Sequence, residues 1–249
     1  MKNQYFGDVG DFGKYGLLSA LLKGPITLGV NWYLTKDDTQ TDGKYTEYLN
    51  KSEFASCDQE LHKFLNDCVT EDRRNVGEIK KLERFKNVLF YDAILDIERI
   101  SGLSESGRIA RKRVRETWFK SSIEDLSGYD LIFCDPDNGI ETKSLSRTGK
   151  DSVKYVYISE IERMVDSGFS LIIYNHRDRS PDDLYKSRIR EFYQSVSNKT
   201  KMRVLRFNRY SVRDYIVLMQ REQLEVIDHQ LDEFLCNDAS LPQRLPFPN

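Results

Sequence analysis

The most informative stretch for the fold is Leu131-Ile132-Phe133-Cys134-Asp135-Pro136-Asp137-Asn138-Gly139-Ile140-Glu141. Its first four residues are apolar and predict a buried strand. Because ligands of open α/β sheets bind outside the carboxyl ends of the strands, the polar residues that follow predict a functional site. These residues are Asp135, Asp137, Asn138 and Glu141. Asp137-Asn138-Gly139 is also a common sequence in turns, so a solvent-exposed turn without a functional role is the alternative interpretation.

A second apolar run ends in polar residues in the same way. Residues 169–174 predict a strand, and His176 follows two residues after it. Adjacent parallel strands would bring Asp135 and His176 into one crevice. A neutral imidazole there could act as a base or as a ligand.

The remaining apolar patterns predict the sheet and the helices that cover it. Strands are predicted at residues 27–34, 87–93, 131–134, 169–174, 203–208 and 215–220. Helical spacing predicts helices at about 13–22, 58–84, 151–166 and 181–196. This order predicts an α/β fold with a mostly parallel sheet flanked by helices, ending in an antiparallel strand hairpin. We expect a single domain over residues 1–249, with a helical insertion at about 55–85 and a basic segment at about 107–120.

Net charge and the basic segment bear on nucleic-acid binding. The formal net charge is -2, so the 249 residues create no global basic field and a nucleic acid would have to meet a local patch. The basic segment offers one, because its cations surround Trp118 and Phe119. These cations are Arg108, Arg111, Lys112, Arg113 and Arg115. A solvated helix face with a buried Trp118 is the alternative.

Cysteine spacing and the lack of long apolar runs bear on the cellular compartment. The four cysteines form no C-x-x-C pair, which indicates reduced thiols rather than a zinc site or disulfides. No run of about 18 apolar residues occurs, and the first residues do not resemble a signal peptide. We therefore expect a soluble, cytoplasmic protein that does not enter membranes.

The N-terminal stretch, residues 4–18, carries glycine at positions 7, 10, 13 and 16. Asp8, Asp11 and Lys14 share the same three-residue spacing, so on a helix they would lie on one face. This spacing predicts a small charged cluster, with a surface ion-pair network as the alternative.

Two local motifs carry a resemblance to a known family. Residues 5–15, Tyr-Phe-Gly-Asp-Val-Gly-Asp-Phe-Gly-Lys-Tyr, resemble the N-terminal signature of bacterial J-type 23S ribosomal RNA adenine-N6 methyltransferases. Asp135-Pro136-Asp137-Asn138 occupies the place of their D-P-P-Y motif, with Asp137 and Asn138 in place of the second proline and the stacking aromatic. The strand order resembles the Rossmann-like sheet of class I S-adenosylmethionine-dependent methyltransferases, but no glycine-rich loop follows the first strand.

The resemblance implies a methyltransferase fold that uses S-adenosylmethionine and acts on an exocyclic amine of a nucleic acid. The candidate catalytic residues are Asp135, Asp137, Asn138, His176 and Lys14, of which Asp135 and Asn138 would orient the amine nitrogen. The candidate cofactor-binding residues are Asp8, Asp11, Asp37 and Asp92.

Two other functions remain open. Asp135, Asp137 and Glu141, with His176 nearby, could bind Mg²⁺ in a metal-dependent phosphoesterase or nuclease, in which Lys14 would stabilise the developing charge. The fold could also serve as a binding module without catalysis.

Overall fold

A computed structural model describes residues 1–39, 43–97, 100, 104–196, 200–209, 211–237 and 243–244 of the chain. Within these residues the main sheet has seven strands. They are β1 (Leu28–Asn31), β2 (Leu89–Tyr91), β3 (Leu131–Cys134), β6 (Ser170–His176), β7 (Thr200–Arg209), β8 (Ser211–Gln220) and β9 (Gln243–Arg244). A separate two-stranded ribbon pairs β4 (Gly139–Ile140) with β5 (Tyr155–Val156).

The main sheet has the order β2-β1-β3-β6-β8-β7-β9. Strands β2, β1, β3 and β6 are parallel, and β8 pairs antiparallel with both β6 and β7. This arrangement confirms the predicted α/β class, with a mostly parallel sheet that ends in an antiparallel hairpin.

Helices cover both faces of the sheet. They are α1 (Val9–Leu21), α2 (Ser52–Cys57), α3 (Gln59–Thr70), α4 (Glu105–Asp125), α5 (Ile158–Asp166), α6 (Asp182–Val196) and α7 (Leu224–Asn237). Alternate strand residues enter opposite cores: Leu131 and Phe133 join one apolar cluster, whereas Ile132 and Cys134 join the other. Because β3 is buried on both faces, all four of its residues are apolar.

Helix α1 begins at Val9, four residues earlier than the predicted start at residue 13. The glycines inside it are explained by close packing against the sheet. A Cβ atom at Gly10 would lie 2.8 Å from the Tyr174 hydroxyl, and one at Gly13 would lie 2.9 Å from the Phe207 ring. These contacts outweigh the low helix propensity of glycine, which costs about 1 kcal/mol per residue.

Two of the predicted helices are interrupted. The helix expected over residues 58–84 ends at Thr70, and Asp72 then adopts a left-handed φ of 55°, which stops an α-helix. Two short 3-10 turns follow at Val76–Lys81 and Glu83–Phe85. The helix expected over residues 151–166 forms only from Ile158, because β5 precedes it and pairs with β4.

Cys57, Cys68 and Cys134, whose side chains are described, form no disulfide bond among the described residues. The side chain of Cys236 lies outside the described residues. Among the helices of the described residues, none has the length and apolar character needed to cross a bilayer.

Candidate functional site

A cleft of about 250 Å³ opens at the carboxyl ends of β3 and β6 and beside the first turn of α1. The chain passes from β1 to β2 on one side and later reaches β3 on the other side of β1, so the switch point of the sheet lies between β1 and β3, next to the cleft. Such switch points are where open α/β sheets bind ligands. The cleft brings together the predicted residues Asp8, Asp11, Lys14, Asp135, Asp137, Asn138 and His176.

The turn after β3 is held against the neighbouring strands. The Asn138 N–H donates to the Lys154 carbonyl at 2.8 Å, and the His176 N–H donates to the Asn138 carbonyl at 3.3 Å. Gly139 has φ 101°, and a Cβ atom there would lie only 2.1 Å from the Asn175 Oδ1 atom. Only glycine fits this close approach, and the result fixes the turn at one edge of the cleft.

Lys14 is the centre of a buried charge network. Its Nζ atom lies 2.7 Å from Asp11 Oδ1 and 2.6 Å from Asp135 Oδ2, and each of the three side chains is no more than 3% exposed. Burial opposes the charge on Lys14, but the two carboxylates raise its pKa well above the usual range. Burial also raises the pKa of Asp135, although Lys14 counteracts this.

Aromatic rings complete the surroundings of Lys14. Its Nζ atom lies 5.1 Å from the ring centroid of Tyr174, 5.5 Å from that of Trp32 and 5.9 Å from that of Tyr15. Faces of aromatic rings attract cations, so the rings favour the protonated amine. The lysine is thereby held as a fixed positive charge behind the cleft.

Asp8 forms the N-cap of α1, and its Oδ1 atom accepts a hydrogen bond from the Asp11 N–H at 3.1 Å. Burial, followed by the charge of Asp11, raises the pKa of Asp8 to about 6. The carboxyl group therefore changes protonation state within an experimentally accessible pH range.

Asp137 has a different environment from Asp135. Its side chain is 7% exposed, and the Met1 amine lies 2.5 Å from Oδ1 as an ion pair. This contact is not a directed hydrogen bond, and among the described residues neither Asp137 oxygen accepts one. The cleft wall therefore presents a buried carboxylate that is paired with the Met1 amine and accepts no directed hydrogen bond from the described residues.

His176 lies at the same edge, with its ring 6.1 Å from that of Tyr174 in an edge-to-face arrangement. Burial, followed by the positive charge of Arg213, lowers the pKa of His176 to about 3. The imidazole is therefore neutral at physiological pH.

Three predicted site residues do not line the cleft. Asp37 is exposed and accepts a hydrogen bond from the Gln4 N–H, and Asp92 is exposed and pairs with Lys80. Glu141 pairs with Arg147 and accepts a hydrogen bond from the Ile158 N–H at the start of α5. Within the described residues, no three histidine, cysteine, aspartate or glutamate side chains are grouped as metal ligands.

The predicted basic segment forms α4, and its cations are divided between two faces. Arg111 and Arg115 are buried: Arg111 donates to backbone carbonyls, and Arg115 pairs with Glu160. Arg108, Lys112 and Arg113 are exposed. The two buried arginines stabilise the fold, and these three cations lie on the surface with Lys120.

Arg213 and Tyr45 are among the cleft residues that were not predicted from the sequence. Arg213 lies on β8 directly opposite His176, and Tyr45 lines the mouth of the cleft with 41% of its surface exposed. The predicted strand began at residue 215, whereas β8 begins at Ser211. Extending the strand backwards with its hairpin register would have placed Arg213 beside His176.

No protein-family model matches the sequence, and a search of curated proteins finds no match.

Proposed function

We propose that the cleft binds an exocyclic amine of a nucleic-acid base, and that the protein is an S-adenosylmethionine-dependent, methyltransferase-like protein acting on that amine. The observation that carries the proposal is the buried Asp137 carboxylate, which pairs with the Met1 amine but accepts no directed hydrogen bond among the described residues. A buried acceptor without a donor is unfavourable, and a base amine supplies N–H donors.

The strand order supports a methyltransferase architecture. Five strands of the series β2-β1-β3-β6-β8-β7 run in one direction, and β8 runs in the other. Class I methyltransferases, which the sequence resembles, have a sheet that ends in a reversed hairpin strand. Fold alone does not determine function, so the chemical argument rests on the cleft.

Side chains at the turn after β3 would bind and orient the amine. Asp137 accepts one N–H of the amine, and Asn138 places a side-chain amide beside it at the same turn. Because methyl transfer needs chiefly alignment of the nucleophile, a fixed carboxylate and amide are sufficient to orient the nitrogen. The exposed ring of Tyr45 supplies the aromatic face on which a base stacks at the mouth of the cleft.

S-adenosylmethionine would supply the methyl group when bound, but no glycine-rich loop follows β1 to hold it. Trp32 and Tyr33 follow β1 and are fully buried. The Met1 amine donates to the Tyr33 and Asp135 carbonyls, next to the ends of β1 and β3. These contacts and the missing glycine-rich loop favour a second candidate function, a non-catalytic module that binds the base amine on the same fold.

Methyl incorporation and calorimetry test the two candidates. Transfer of labelled methyl groups from S-adenosylmethionine to RNA or DNA is measured for the wild type, Asp137→Ala and the matched control Asp37→Ala, whose carboxylate lies outside the cleft. We expect incorporation that is lost in Asp137→Ala and retained in the control.

Calorimetric titrations with S-adenosylmethionine, S-adenosylhomocysteine and Mg²⁺ accompany the assay. Base binding without binding of either sulfur compound would support the non-catalytic module and reject methyl transfer. Mg²⁺ binding and phosphodiester hydrolysis, both lost in Asp137→Ala, would reject both candidates.

A further inference from the structure

Arg213 is a cleft residue that forms no ion pair with the described residues, although its charge acts on the Asp8 carboxyl group in the same cleft. Its Nη1 atom donates to the carbonyl of the preceding Val212 at 3.1 Å, and its Nε atom is buried without a hydrogen-bond partner. Among the described residues it forms no ion pair. Other buried or partly buried arginines differ: Arg115, Arg203 and Arg206 each pair with a carboxylate at 2.7 or 2.8 Å.

The surroundings of Arg213 favour an anion rather than another cation. Its guanidinium carbon lies 5.9 Å from the Tyr174 ring centroid, and the neutral His176 lies opposite on β6. Lys2 and Lys154 line the same cleft, each paired with a carboxylate, Asp38 and Asp151 respectively. Asp8 is also in the cleft, but its carboxylate caps α1.

A partly buried guanidinium without an ion-pair partner is unfavourable unless a ligand supplies the missing negative charge and hydrogen-bond acceptors. Its planar arrangement of N–H donors matches the oxygens of a phosphate, which it can bind in a bidentate manner. Among the described residues, Asp137 accepts no directed hydrogen bond and Arg213 forms no ion pair, so the cleft suits a ligand that carries an amine and an anionic group.

We infer that Arg213 binds a phosphate of the nucleotide whose base amine meets Asp137. This inference rests on the proposed function and narrows its substrate class to a phosphorylated nucleotide unit, in preference to a free base or nucleoside.

The test compares binding of the 5′- and 3′-monophosphates of adenosine, cytidine and guanosine with binding of the corresponding nucleosides, using calorimetry. The proteins are the wild type, Arg213→Gln and the control Arg113→Gln, whose guanidinium is exposed on α4 outside the cleft. We expect at least one monophosphate to bind the wild type and the control about tenfold more tightly than its nucleoside, or better. In Arg213→Gln we expect this preference to disappear while nucleoside affinity stays the same.

A phosphate preference that survives in Arg213→Gln, or its absence in the wild type, would overturn the inference. If nucleosides bind without any phosphate preference, the amine site stands and the phosphate site fails. If inorganic phosphate binds through Arg213 but no nucleoside or nucleotide binds, the amine site fails instead.

A second measurement uses only the wild-type protein. The Nε–H resonance of Arg213 is followed by NMR during titration with inorganic phosphate and, separately, with S-adenosylmethionine, whose carboxylate is the other source of an anion. A shift with phosphate supports the inference, and a shift with S-adenosylmethionine alone overturns it.

Discussion

Lys14 and Asp135 form a buried ion pair with 2.6 Å between Nζ and Oδ2, although 121 residues separate them in the sequence. The pair joins the first helix to the carboxyl end of β3. With Asp11 it forms the back wall of the cleft, against which the turn containing Asp137 and Asn138 is placed.

Lys14→Met removes the countercharge of two buried carboxylates. We expect the free energy of unfolding at pH 7 to fall by about 3–5 kcal/mol, because an uncompensated buried charge is strongly destabilising. Urea denaturation measures the change. Lys63→Met is the control, because Lys63 pairs with Asp67 on the exposed surface of α3 and its loss should leave the midpoint unchanged. Equal losses in the two variants would contradict the assigned role of Lys14.

Gly139→Ala tests the close approach between the turn after β3 and Asn175. Gly128→Ala is a matched control, since Gly128 also has a positive φ of 90° but no heavy atom lies within 4 Å of its Cβ position. We expect the control to lose about 1 kcal/mol for its backbone conformation. Gly139→Ala should lose about 2 kcal/mol more, because Asn175 must move. Equal shifts in thermal denaturation would show that the approach to Asn175 is unimportant.

Asp8→Asn tests the raised pKa of Asp8 while keeping an acceptor for the N-cap. The folded state binds the Asp8 proton more tightly than the unfolded state, whose pKa is near 3.8. The stability that this group contributes is therefore complete below pH 3.8 and is lost as the pH rises through about 6. At pH 7.5 we expect Asp8→Asn to be more stable than the wild type by about 1–3 kcal/mol. The difference should vanish at pH 4, and a difference that does not depend on pH would contradict the account.

The exposed cations of α4 are tested by replacing Arg108, Lys112 and Arg113 together with glutamine. If they contact phosphates, affinity for RNA or DNA should fall and the slope of log affinity against log salt should decrease by up to about 3. The melting temperature should stay unchanged, because these side chains are exposed. Arg115→Gln should leave the nucleic-acid affinity unchanged but lower the free energy of unfolding by about 3–5 kcal/mol, because Glu160 loses its partner. Unchanged affinity in the triple variant would exclude α4 as the nucleic-acid surface.

The sequence allowed the main sheet to be predicted because its central strands are buried on both faces. Residues 131–134 and 171–174 are continuous apolar runs, and the hairpin of β7 and β8 is predicted as two strands with a short connection. The start of α1 was missed because Gly10 and Gly13 have low helix propensity, and only their contacts with Tyr174 and Phe207 explain their presence.

Proximity in the cleft was predictable where two strand ends are adjacent, as for Asp135 and His176. Side-chain direction was not predictable in the same way. Asp92 follows β2 but points to Lys80, and Glu141 follows the same turn as Asp137 but points to Arg147. The position of Arg213 in the cleft was not predicted, because it depends on the register between β6 and β8.

The most direct test of the amine site compares nucleosides that differ only in the exocyclic group. Calorimetry is carried out with adenosine and purine riboside, cytidine and its analogue without the 4-amino group, and guanosine and inosine. We predict that at least one amine-bearing nucleoside binds the wild type and Asp37→Ala about tenfold more tightly than its partner, or better, and that Asp137→Ala loses this difference. If no pair is distinguished, or if Asp137→Ala discriminates as well as the wild type, the cleft is not a site for a base amine.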